Sequence, residues 1–95
     1  MPYRPTPIDT SEVMLPAHLA ELLELLAANV HEAWARTKVD QGWRYGPRQD
    51  PDKKEHPSLV PFGDLSETEK DLDRASACEV LKTMTKLGYR VLPAA

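Results

Sequence analysis

The 95-residue chain is long enough for one domain with one core, and its 41% hydrophobic and 28% charged content is globular rather than disordered. Lys and Arg number 12 against 15 Asp and Glu, a formal net charge of −3, so no global field draws long nucleic acid and any basic site must be local. One cysteine, Cys78, excludes an internal disulfide framework and fits a reducing compartment, and no apolar run approaches the roughly 20 residues that would span a bilayer.

Residues 1–15 carry Pro2, Pro5 and Pro7, which impose extended backbone. Tyr3, Ile8, Val13 and Leu15 give this arm enough apolar surface to dock, and Asp9-Thr10-Ser11 supplies oxygens for a local turn. The stretch lacks the apolar core of a secretory signal, so the expected location is cytoplasmic.

A first helix is expected over 16–41. Pro16 suits a first turn, and Leu19, Leu22, Leu23, Leu26, Val30, Ala33, Trp34 and Thr37 recur at i, i+3, i+4, i+7. Gly42 then offers the left-handed residue that closes a helix. Residues 42–65, rich in Pro and Gly, read as a long ordered loop with short extended pieces. A second helix is expected over 66–87, with Ser66 and Glu69 as a capping box and Ala77, Val80, Leu81, Met84 and Leu87 as the apolar stripe. Past Gly88, residues 88–92 alternate and read as a short strand. Its expected partner is Trp43-Arg44-Tyr45, Leu59–Phe62 or the arm. The resulting fold is mainly α: two antiparallel helices packed as a hairpin, an extended N-terminal arm, the long loop and short β-strands. Two helices make a shallow core, so the arm and loop must cover them or the chain must self-associate.

The loop concentrates the chemistry. Trp43 and Tyr45 either stack a flat ligand or plug the gap beside the helix end. Arg44, Arg48, Lys53 and Lys54 either clamp phosphates or form a solvated basic loop offset by Asp50, Asp52 and Glu55. His56 closes the segment. Asn29, Glu32 and Arg36 share one side of the first helix and would line the floor beneath the loop, and Asp73-Arg74 would tie the second helix to it. His31, His56, His18 and Cys78 lack metal-ligand spacing, and His31 and His56 read better as braces bonded to backbone. No nucleophile elbow, phosphate loop or dinucleotide fingerprint is present, so neither enzyme, metal site nor cofactor is expected.

Several spaced motifs carry a resemblance. Arg4-Pro5-x-Pro7-Ile8-Asp9-Thr10 is followed by Leu26-Ala27-x-Asn29-x-His31-Glu32-x-Trp34-Ala35 and Gly42-Trp43-x-Tyr45-Gly46-Pro47. Then come Lys54-x-His56-Pro57-x-Leu59-Val60-Pro61-Phe62, Glu69-Lys70-x-x-Asp73-Arg74, Glu79-x-Leu81-Lys82-Thr83 and Leu87-Gly88-Tyr89. In this order, from about Tyr3 to about Val91, the chain resembles the ryanodine-receptor repeat, or RyR domain. The resemblance implies a cytosolic module of two helices and short strands, of the isolated bacterial or phage type. In the large calcium-release channels such repeats lie outside the pore, occur in tandem pairs, and a pair can hold an adenine nucleotide. This chain carries one copy, so a site that needs two implies a homodimer.

The expected function is therefore a non-enzymatic module that binds a nucleotide-like molecule, adenine-type or cyclic. The loop residues Trp43, Tyr45, Arg44, Arg48, Asp50, Lys53, Lys54 and His56 would make the contacts, supported by Asn29, His31, Glu32, Arg36, Asp73 and Arg74. The alternative is a protein-interaction module using the same loop as a hot spot, where Trp, Tyr and Arg are typical.

Overall fold

Two long helices, α2 (Leu23–Asp40) and α3 (Glu67–Lys86), pack against each other in the computed structural model, which describes residues 2–94. A short α1 (Ala17–Ala20) precedes them, and a two-residue pair, β1 (Arg44–Tyr45) and β2 (Glu55–His56), sits in the connection. A 3-10 turn at Phe62–Asp64 leads into α3. The fold is mainly helical, and no helix among the described residues is long and apolar enough to cross a membrane.

Local signals account for the helix ends. Ser66 caps α3, its hydroxyl accepting from the Glu69 N–H at 3.2 Å while donating to the Glu69 carboxylate at 3.1 Å. Gly42 and Gly88 close α2 and α3 at φ +90° and +95°. At each end the next residue reaches back five positions, Trp43 N–H to the Lys38 carbonyl and Tyr89 N–H to that of Met84.

The expected single helix over 16–41 is instead two. The backbone turns at Glu21–Leu22, where the Leu22 N–H bonds to the Leu19 carbonyl three residues back. The break lets Leu19 bury beside the returning C-terminal segment while α2 faces α3. Helical periodicity runs through it unbroken, because neither proline nor glycine marks the turn. The expected strand over 88–92 is not formed either. Tyr89–Leu92 run without a ladder, and Val91 is fastened through its carbonyl, which accepts from His18 Nε2 at 3.1 Å.

Trp43-Arg44-Tyr45 does contribute a strand, but within the loop. Arg44 and Tyr45 pair in parallel with Glu55 and His56, and Asp50 bridges Glu55 in the opposite sense. The loop so folds back on itself. At its crossing Gly46 is buried, with no space for a Cβ against the Glu55 side chain.

The core is small: Ala27, Phe62 and Leu65, with Ala28 and Val60 packed on it, plus Leu19, Ala77 and Leu81. Ala27 is fully buried because Phe62 and Leu65 sit directly over it, leaving room for a methyl alone. The leucine stripe expected to be the core is consequently rotated outward: Leu22, Leu26 and Val30 are exposed. Val80, Met84 and Leu87 of α3 are exposed likewise. The arm docks by polar contact: buried Thr10 donates its hydroxyl to the Glu79 carboxylate at 2.9 Å.

Candidate functional site

A row of rings runs from the core to the loop. Phe62 and His31 lie 6.2 Å apart between centroids, His31 and Trp34 5.6 Å, Trp34 and His56 5.0 Å, and His56 and Trp43 6.4 Å. Each is tilted or edge-on, the geometry that ring quadrupoles favour. At the outer end the Lys38 ammonium stands 4.7 Å from the Trp43 ring centroid.

Both histidines are fixed by backbone. His31, buried, donates from Nε2 to the Val60 carbonyl at 2.7 Å, which joins α2 to the segment before α3. His56 accepts at Nδ1 from the Ser58 N–H at 3.0 Å, so in the neutral ring the proton is on Nε2.

Beside this row opens a concavity of about 200 Å³. Its wall is aromatic, from His31, Trp34 and His56, with Leu65 and Leu72 completing the apolar part. Its polar groups are Ser58, Glu69 and Asp73. Glu69 and Asp73, four residues apart, share one face of α3. A hydrogen bond from the Ser58 hydroxyl holds the Glu69 carboxyl below the ordinary carboxylate range, so it is ionised at neutral pH. Asp73 has no hydrogen-bond partner or ion pair among the described residues, although it is half-buried. The concavity thus sets an aromatic surface beside one carboxylate, Asp73, that has no donor among the described residues. No cluster of His, Cys, Asp and Glu suited to a metal ion occurs among the described residues.

The residues singled out from sequence separate into two groups. His31, His56 and Asp73 line the concavity. The rest lie outside its lining. Trp43 is half-buried, edge-on to His56 and overlain by Lys38, and Tyr45 is 59% exposed. Arg44 is bound to Glu55, Nη2 to Oε2 at 3.2 Å, and Lys54 donates from Nζ to the Gln41 carbonyl at 2.9 Å. Lys54 also holds φ +54°, a left-handed backbone uncommon outside glycine. Asp50 spends its carboxylate on the N–H groups of Asp52 and Lys53, shaping the turn. Arg48 and Lys53 are exposed.

The supporting set disperses. Asn29 lines a different groove, beside Leu26 and Val30, rather than a floor beneath the loop. Glu32 and Arg36 are exposed. Arg74 does not tie α3 to the loop. It bridges to the start of α2, donating from Nε and Nη2 to Glu24 at 2.7 and 2.8 Å, and from Nη1 to Glu67 and Asp71 at 3.0 and 2.8 Å. Its single-turn neighbour Asp73 faces the concavity because successive helix positions differ by about 100°.

Trp34, Ser58, Leu65, Glu69 and Leu72 are the lining residues of the concavity that sequence reasoning missed. Trp34 was absorbed into the apolar stripe and Glu69 into the capping box. The spacing that could have found them is His31-x-x-Trp34 on one helix and Glu69-x-x-x-Asp73 on the other, each a single face.

Fold and site together define a small helical domain framing a shallow aromatic and acidic concavity between two helices and a strapped loop. The family model of the RyR domain matches residues 3–93, nearly the whole chain. The protein belongs to the RyR domain family.

Proposed function

We propose that this domain is a non-enzymatic binding module for a nucleotide-like molecule, and that the base enters the concavity while the loop faces the phosphates. The observation that carries this reading is the meeting of Trp34 with Asp73, an aromatic wall beside a carboxylate that has no donor among the described residues. A purine edge with an exocyclic amino group supplies the missing donor, and its π-face supplies the stacking partner. A volume of about 200 Å³ suits one planar heterocycle and falls short of the roughly 300 Å³ at which drug-sized sites begin. Sugar and phosphates would therefore extend outward, toward Lys38 and the exposed cations Arg48 and Lys53.

The acidic lining supports a donor-rich ligand head over a bare phosphate, which two carboxylates would repel. Calorimetry against adenine mononucleotides and cyclic di- and trinucleotides tests the reading. Measurable heat with the intact chain, abolished by Trp34→Ala in protein that remains helical by circular dichroism, is the expected result. No heat at millimolar nucleotide overturns it.

A further inference from the structure

The chain has more surface than its mass requires. Its accessible area is 7469 Å², whereas a compact monomer of this mass exposes about 5,500 Å². Its radius of gyration is 16.2 Å, against about 12 Å for a compact domain of this length. The extents are 45 × 44 × 24 Å, a flattened body. Residues 2–9 of the N-terminal arm are exposed, and so are several large apolar side chains on the two long helices.

On α2 the exposed Leu22, Leu26 and Val30 recur every four residues, and on α3 so do Val80 (61% exposed) and Met84, with Leu87 (60%) one turn on. Between these stripes runs a groove of about 370 Å³, floored by Ala77 and Leu81. Its lining carries no charge; Asn29 and Ser76 are the polar members. The groove shares no lining residue with the concavity and its two carboxylates.

We propose that this face is a self-association surface whose occupant is a second copy of the chain, packed about a two-fold axis. Two arguments choose that occupant. An isologous contact sets each patch against itself, and a patch without charge meets no like charge when so paired. The missing burial also has the right size: the excess of about 2,000 Å² per chain exceeds the roughly 800 Å² that each partner contributes to a standard interface, leaving the arm its share. The ridge of Leu26 and Val30 on one copy would fill the groove over Ala77 on the other. This inference does not depend on the ligand reading, since the groove binds nothing in that reading.

Sedimentation equilibrium of the full chain at about 100 μM tests it, because interfaces of this size give dissociation constants of micromolar or tighter. Dimer is expected for the unaltered chain without any nucleotide, and monomer for Val80→Glu, an exposed position where the helix tolerates glutamate. Tyr45→Ser, off this face, should leave the dimer intact. Should Val80→Glu lose its circular dichroism, Ser76→Arg at the groove edge takes its place. A chain that stays monomeric at 100 μM, or a dimer that survives both groove substitutions, overturns the proposal.

Discussion

Trp34 and His56 meet edge to face with ring centroids 5.0 Å apart, and this contact fastens the loop strand β2 to the middle of α2. Ser58 holds His56 in place through Nδ1, and His31 holds Trp34 from below. The wall of the concavity is thus supported from both the helix and the loop. On its acidic side Glu69 is held by Ser58, whereas Asp73 has no partner among the described residues.

That difference separates binding from stability. Asp73→Asn keeps the shape and removes an acceptor charge that no group among the described residues pairs. Unfolding stability should change little, within about 0.5 kcal/mol, as for surface-type substitutions. Affinity for an adenine nucleotide should fall at least about tenfold, or roughly 1.4 kcal/mol. Paired calorimetry and thermal denaturation read both quantities.

His31 behaves in the opposite way. It is buried at 4% exposure, bonded to Val60 and packed between Phe62 and Trp34. His31→Ala leaves the Val60 carbonyl without its donor and opens a void under the indole. The combined cost should be about 2–4 kcal/mol in urea denaturation. A smaller loss would mean that water replaces the imidazole.

Arg74 ties both helices through Glu24, Glu67 and Asp71, all at the surface. Its hydrogen bonds hold the Glu24 and Glu67 carboxyls below their ordinary value of 4.5. A depressed carboxyl stabilises the folded state above that value and loses the contribution as pH falls through its folded pKa. The protein should therefore weaken in acid, from about pH 5 downward. Arg74→Met should lower the melting temperature by a few degrees near neutral pH and low salt, and by less in 0.5 M salt, where screening already weakens the pairs. Thermal melts of both proteins across pH 3–7 test the sign.

Gly46 is required by space rather than by backbone angle, since a Cβ there would overlap the Glu55 side chain. Gly46→Ala should force β1 and β2 apart at a cost of about 1–3 kcal/mol. Faster amide exchange at Arg44 and His56 in that variant would locate the damage in the loop.

Different parts of this architecture were legible to different degrees. The capping pair Ser66 and Glu69 and the closing glycines Gly42 and Gly88 announce themselves, because each satisfies backbone groups within six residues along the chain. The break at Glu21–Leu22 leaves no residue-type signal. The loop's wealth of aromatics and cations drew attention to Trp43, Tyr45 and Arg44, yet Arg44 is bound to Glu55 and Trp43 is overlain by Lys38. Charged loops satisfy their own members, and sequence proximity does not reveal which carboxylate does so.

Sequence alone determined the family, the two long helices, both ends of α3 and the C-terminal end of α2, because these rest on local hydrogen bonding and on motif order. Only the tertiary structure decided which way each helix faces. Phe62 and Leu65 occupy the space above Ala27, so the small residue turns inward and Leu26 and Val30 turn out. The same rotation carries Trp34 and Asp73 to a shared concavity. Periodicity gives a helix its stripe, but bulk packed from distant parts of the chain selects the face that is buried.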